Sequence, residues 1–442
     1  MISRRHSRLI ATLALFAPVA LAAQSPPRYD AEIARRAQAL EAKVVAWRRD
    51  IHQHPELGNR EFRTSRLVAD HLQKLGLEVK TGVAHTGVVG VLRGGKPGPV
   101  VALRADMDAL PVTEEVNLPF KSTVRSTYNG QEVGVMHACG HDNHVAILMG
   151  VAELLAGMKQ EVAGTVKFVF QPAEEGPPSG ERGGAELMLE EGAFANPKVD
   201  AVFGLHVFPF EVGKVSYRAG GLMASGDTYK VVVRGRQTHG AVPWGGVDPI
   251  TITSQMIASM QSIVSRQVDL TITPAILTVG YIRGGVRVNI IPDSVEFGGT
   301  IRAFHEPTRD SIITKFRRLV TAMAEANGAT ASITFDRGTP VTWNDPALTA
   351  RVVPSLQRAL GTEQVVEGLP TTTSEDFSLF QKAAPGVFLF LGVTPKGTDP
   401  ARVAANHSPR FFADEGALVP GMKALATVTL DYLTTPPGKP KM

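Results

Sequence analysis

A rhythm of helical and apolar-strand patterns, broken once and then resumed, constrains this chain more than any other feature. Helical periodicity over 30–54 and 61–75 leads into apolar runs at 86–92 and 100–105 that are too short for helices. A helical pattern at 144–158 follows, then strand-like runs at 165–170 and 201–205, and later a helix at 346–360 and a strand at 387–391. Helices alternating with buried strands predict an α/β fold around a mostly parallel sheet. Between them the pattern changes to a strand at 228–234, a helix at 248–266, strands at 275–282 and 294–303, a helix at 307–326 and a strand at 330–335. That β-α-β-β-α-β order is the ferredoxin-like split unit. The expectation is a discontinuous domain formed by 23–220 and 336–442, with an α+β domain at 221–335 inserted into it.

The chain's start has a different character. Arg4, Arg5 and Arg8 precede an apolar run from Leu9 to Ala22 that is interrupted only by Thr12 and Pro18 and ends in Ala20-Leu21-Ala22. This reads as a signal peptide over 1–22, giving an exported protein, periplasmic or secreted. A membrane anchor would need about 20 apolar residues. The Arg4-Arg5 pair hints at twin-arginine export, although the residues after it fit that signal poorly. Loss of those three arginines from a formal charge of +4 leaves the remainder close to neutral, without the basic footprint of nucleic-acid or membrane-surface binding. The Pro- and Lys-containing end at 434–442 reads as a disordered tail.

Cys139 is the only cysteine, so no intrachain disulfide can form. A lone thiol is commonly a small buried hydrophobe. Its neighbours suggest a metal-bound thiolate instead. Met136-His137-Ala138-Cys139-Gly140-His141-Asp142-Asn143-His144 gathers four metal-capable side chains and an acid on what is expected to be a loop before a helix. One intervening residue lets Cys139 and His141 approach a common centre from a tight turn. A second cluster, Gln171-Pro172-Ala173-Glu174-Glu175-Gly176, follows the strand at 165–170, where α/β sheets gather ligands. Two adjacent acids usually form a solvated surface. Beside a metal cluster, one can hold metal while the other serves as general base. His206, expected to end the strand at 201–205, and His407, after the strand at 387–391, fall at the same end of the sheet.

These residues resemble the aminoacylase and hippurate hydrolase family of co-catalytic metallopeptidases, in the amidohydrolase branch with auxin-conjugate hydrolases and N-acyl-amino-acid carboxypeptidases. The resemblance runs over nearly the whole chain after residue 22. It is carried by 49–61, Arg104-Ala105-Asp106-Met107-Asp108, the Cys139 cluster, Glu174-Glu175, Gly204-Leu205-His206, Val288-Asn289-Ile290, Ser374-Glu375-Asp376-Phe377 and Asn406-His407-Ser408-Pro409. It implies metal ligands at Cys139, His141, Glu175, His206 and His407, with Glu174 as general base and Asp108 orienting a ligand from behind. The inserted domain would be a lid and dimerisation domain, its His239 reaching the scissile carbonyl oxygen, often from the partner subunit. Asn289 and Arg302 would hold the substrate carboxylate. Three departures border the site. Asp106 stands where the wider family carries a metal-binding histidine and is not counted as a ligand; the loop 176–182 is longer than usual; and Trp244 replaces a common histidine.

The implied activity is metal-dependent hydrolysis of N-acyl amino acids or related small amides by a homodimer holding one or two divalent ions per subunit. Thiolate favours zinc, with manganese second and cobalt or nickel possible in a histidine and carboxylate site. A dipeptidase or aminopeptidase of the same family is the alternative enzyme. A catalytically silent binding protein for acylated amino acids would need neither Glu174 nor His239.

Overall fold

The computed structural model describes residues 29–435; the expected signal peptide and most of the expected tail lie outside them. An eight-stranded sheet runs in the order Glu78–Val83, Gly87–Arg93, Ala163–Gln171, Lys96–Asp106, Ala201–Glu211, Gly386–Thr394, Val215–Tyr217, Val365–Glu367. Its four central strands, from Ala163–Gln171 to Gly386–Thr394, are mutually parallel. Side chains of a strand alternate between faces. Val101 and Leu103 accordingly join one buried core with Ile147, Leu148 and Leu425, while Ala102 joins the other with Met188 and Phe380. Helices cover both faces, as an apolar parallel sheet requires. His141–Ala156 is buried almost throughout and packs against Asp30–Gln53 and Leu418–Thr434.

Several boundaries follow from local chemistry that the sequence displays. Asp345 caps Pro346–Leu360 by accepting from the Leu348 N–H at 2.7 Å. Asp248 does the same for Pro249–Gln267. In both, proline occupies the first helical turn, where its missing N–H costs nothing.

The inserted unit has its own four-stranded antiparallel sheet, ordered Ala275–Gly284, Ser294–Ala303, Asp227–Arg234, Thr330–Arg337, the ferredoxin-like arrangement. Tyr229, Val231 and Val233 alternate inward against Met256 and Met260 of one helix and Phe316 and Val320 of the other, forming a separate core. The chain enters through Gly220–Met223 and leaves through Thr342–Asn344, and these two segments pair antiparallel. Next to this crossing, Asp227 and Arg309 form a buried ion pair at 2.7 Å. Removing one partner of such a pair leaves an uncompensated charge and typically costs about 3–5 kcal/mol.

Two expectations need correction. The helix assigned to 144–158 begins at His141, so the second half of the cysteine cluster lies on a helical turn, not in a loop. His206 lies within Ala201–Glu211 and does not end its strand. The buried helix Leu418–Thr434, apolar nearly all round, shows no amphipathic period in the sequence.

Candidate metal centre and active site

Parallel strands deliver the cluster. Lys96–Asp106 ends at Asp106, Ala163–Gln171 leads directly to Glu174 and Glu175, Ala201–Glu211 carries His206, and His407 lies in the loop after Gly386–Thr394. Gly140 makes the turn between Cys139 and His141 possible. Its φ is +91°, and a Cβ there would lie 2.4 Å from Val207 Cγ2. Asn406 fastens its own loop to the cysteine turn and to the strand Ala201–Glu211, its amide donating to the carbonyls of Cys139 at 3.0 Å and Val207 at 3.2 Å. His407, at φ 70°, is held by its N–H donating to the Ala138 carbonyl at 2.8 Å.

The ligand-capable atoms converge. Cys139, His141 and His206 place one donor atom each within 4.8 Å of one another, as do Cys139, Glu175 and His407, and also His141, Glu174 and Glu175. Cys139 therefore belongs to two triads, a layout suited to two neighbouring cations. His141 Nδ1 donates to the Asp108 carbonyl at 2.8 Å, leaving Nε2 buried and without a hydrogen-bond partner among the described residues. His206 Nδ1 donates to the Val207 carbonyl at 2.8 Å, leaving Nε2 at 3.3 Å from Cys139 Sγ. A hydrogen bond on one ring nitrogen that frees the other is how proteins orient metal-binding histidines. His144 is different. Its Nδ1 donates to Asp106 at 2.5 Å and its Nε2 accepts from the Val207 N–H at 2.8 Å, so neither nitrogen is free.

Glu174 and Glu175 occupy a turn, not an extended segment, and so both reach the cluster instead of pointing apart. The turn starts from Ala173, a non-glycine residue in the left-handed region at φ 50°. Backbone of this kind persists only where its surroundings hold it. Here the buried carboxylate of Glu61 does so, accepting from the Ala173 N–H at 2.9 Å and the Thr86 hydroxyl at 2.5 Å. Burial, reinforced by Asp108, pushes Glu61 up to about 8. Asp108 accepts from the Glu175 N–H at 2.9 Å through one oxygen and places the other 3.3 Å from His141 Nδ1. It touches both a histidine and the glutamate turn, as a residue orienting ligands from behind must.

Charge is the site's most telling property. Burial, together with Glu175 and Glu174, pushes the Cys139 thiol well up. Burial and the carboxylates of Glu375 and Glu175 push Glu174 up as well. Burial opposes charge on His141, yet Asp106 and Asp108 push it to about 10. Such a gathering of buried anionic donors, next to the unpartnered Nε2 of His141 and the His206 Nε2 that faces Cys139 Sγ, fits divalent cations. The donor set of sulfur, nitrogen and oxygen fits transition metals better than magnesium or calcium.

Beneath the cluster lies a network to which the sequence motifs assigned no role. Arg104, fully buried, donates to Gln171 Oε1 at 2.7 Å, Asp106 Oδ2 at 2.6 Å, Glu375 Oε1 at 2.8 Å and Asp376 Oδ1 at 3.0 Å. Both oxygens of Asp106 are thus engaged, one by Arg104 and one by His144. Chain separation hides such a partnership, since Arg104 and Glu375 are 271 residues apart.

The remaining expected site residues stand outside the cluster. His239 and Asn289 are exposed on a small ribbon formed by Thr238–His239 and Ile290–Ile291, where the Gly240 N–H donates to the Asn289 carbonyl at 2.9 Å. Neither touches the metal-capable residues. Arg302 is half-buried at the junction of the two units, its guanidinium donating to Ser374 Oγ at 3.0 Å.

Residues 102–431 match the peptidase family M20/M25/M40. The chain belongs to this family. Thermostable carboxypeptidase 1 of Saccharolobus solfataricus is 41% identical over 396 residues, covering 89% of this chain and 96% of the relative. The IAA-amino acid hydrolase ILR1-like 4 of Arabidopsis thaliana is 41% identical over 395 residues, covering 88% and 86%. The solved structure of the Bacillus subtilis YXEP protein, titled a dinuclear metal binding peptidase from the M20 family, superposes with a TM-score of 0.75 at 33% identity, covering 90% of this chain and 99% of that one. The protein is therefore a metal-dependent hydrolase of amide bonds.

Because the cluster's anions are stable together only beside cations, chelation should destabilise the fold as well as abolish activity. Dialysis against a strong chelator is expected to lower Tm by several degrees, with recovery on adding zinc or manganese. An unchanged Tm in protein proven metal-free by elemental analysis would contradict this.

Proposed function

We propose that the protein hydrolyses the amide bond of N-acyl amino acids, with Cys139, His141, Glu175, His206 and His407 as ligands of one or two divalent ions. Zinc is the first choice and manganese the second. The convergence of these five side chains with Glu174 carries the reading. The kinship with an enzyme named for IAA-amino acid hydrolysis supports an acylated amino acid as substrate. When bound, the ions would polarise the amide carbonyl and make a water molecule more acidic. Glu174, whose Oε2 lies 3.9 Å from His141 Nε2, takes the proton of the attacking water and returns it to the departing amine. Its burial keeps bulk water from competing for that proton. Asp108 and Glu61 hold the turn on which it sits.

The inserted unit would act as a lid and as the dimer contact, with 221–335 as its extent. Its outer strand Ala275–Gly284 is long and open at one edge, with Ile276 and Ile282 exposed, a form suited to pairing with a second copy. His239, exposed and away from the cluster of its own chain, would then serve the partner's site as an oxyanion donor, a role worth about 3 kcal/mol. Asn289 and Arg302 would bind the substrate carboxylate, Arg302 by exchanging Ser374 for the ligand.

The two glutamates separate the assignments. Glu174→Gln keeps the shape but cannot accept a proton, so kcat should fall by roughly 10²- to 10⁴-fold with metal content unchanged. Glu175→Gln should lose metal along with activity. If Glu174→Gln sheds the metal and Glu175→Gln retains it, the roles are exchanged. Near-normal turnover in Glu174→Gln would exclude it as the base. Subunit exchange tests His239: an equimolar mixture of the Glu174→Gln and His239→Ala variants, dissociated and reassociated, should regain up to about a quarter of wild-type activity through mixed dimers. No recovery in mixed dimers of verified mass would place His239 outside the partner's site.

A further inference from the structure

A cavity of about 290 Å³ opens where the outgoing linker meets the helix Glu306–Ala326, and none of the cluster residues lines it. Its size is at the lower end for small-molecule sites, which run from roughly 300 to 1,000 Å³. Two aromatic rings shape it. Trp343 is 41% exposed, and the His305 ring stands 6.2 Å from it, centroid to centroid, at 41°. Planar groups favour offset or edge contacts with such rings.

Its polar groups are few. Ser378 is 1% exposed, and its Oγ has no hydrogen-bond partner among the described residues. A buried hydroxyl is rarely left so. The exposed Lys382 ammonium stands 4.0 Å from Glu306 Oε1. Glu306 is otherwise engaged, accepting from the Val341 N–H at 2.8 Å and from Arg309 at 3.3 and 3.4 Å. Lys382, whose ion pair with Glu306 is long at 4.0 Å, and the unpartnered Ser378 hydroxyl are thus the lining donors with capacity left for a ligand's anionic group, beside an aromatic slot.

We propose that this cavity is a second ligand site, for a small planar aromatic carboxylate, with its ring against Trp343 and His305 and its carboxylate toward Ser378 and Lys382. The site is built from both units. His305 and Glu306 belong to the inserted unit, whereas Ser378 and Lys382 lie on the helix Phe377–Ala383 of the main domain. Asp376, which precedes that helix, is held by Arg104 beneath the metal cluster. This inference does not depend on the substrate assigned above.

Calorimetric titration of the purified full-length protein with benzoate tests it, repeated with the neutral benzamide. Lys382 is exposed and outside the catalytic machinery, so Lys382→Ala should fold and turn over substrate as the wild type does. The expected result is saturable binding that weakens by about tenfold or more in Lys382→Ala and for the amide, because both remove a charge-assisted contact. Trp343→Leu and Ser378→Ala should weaken it too. Absence of binding, or equal affinity in wild type and all three variants, would overturn the proposal, the second outcome placing the ligand elsewhere.

Discussion

The buried guanidinium of Arg104 is the constraint on which the site depends. A charge in that position is tolerable only if it is fully paired and hydrogen-bonded, and its four acceptors come from three places in the chain: Asp106, Gln171 and the adjacent pair Glu375 and Asp376. Satisfying Arg104 therefore fixes the ends of two parallel strands and the start of the helix Phe377–Ala383 relative to one another. Asp106, held far below the usual carboxylate range by Arg104 against the effect of burial, then orients His144. His144 in turn accepts from Val207, the residue next to His206. The metal-capable side chains are thus built on an ionic base that meets them through Asp106.

Above that base the balance reverses. Thiol, carboxylates and imidazoles crowd a space in which burial penalises every charge, and His141 is the cluster imidazole that the neighbouring carboxylates push up. Cations would add positive charge there, and with it the acidity and polarisation that amide hydrolysis demands. The strained turn at Ala173, pinned by Glu61, aims the proposed base and a proposed ligand from adjacent positions. Structural rigidity and chemistry meet in the same few residues.

Much of this was legible in the sequence. Periodicity anticipated the strands and helices of the four-stranded sheet, and the helices expected at 248–266 and 346–360 start within one residue of where they are found. Every expected metal ligand lies in the cluster, because residue type and position at strand ends both bear on metal binding. The rest required three dimensions. Gly140 started its helix early, since only the packed neighbour Val207 shows why glycine is needed there. The glutamate turn depends on a carboxylate from residue 61, and the partners of Arg104 are scattered across the chain. The helix Leu418–Thr434 escaped notice because burial on all sides erases the periodic signal. The exposed ribbon bearing His239 and Asn289 shows the converse, since neither residue belongs to the cluster that the strand ends bring together.

The central claim is that Cys139 is a metal ligand and not simply a buried thiol. X-ray absorption at the zinc edge of the zinc-loaded protein addresses it directly. A sulfur scatterer at about 2.3 Å, alongside nitrogen and oxygen at about 2.0–2.2 Å, is the result predicted, and it should vanish in Cys139→Ala. A first shell of nitrogen and oxygen alone, in protein carrying its full complement of zinc, would contradict the account.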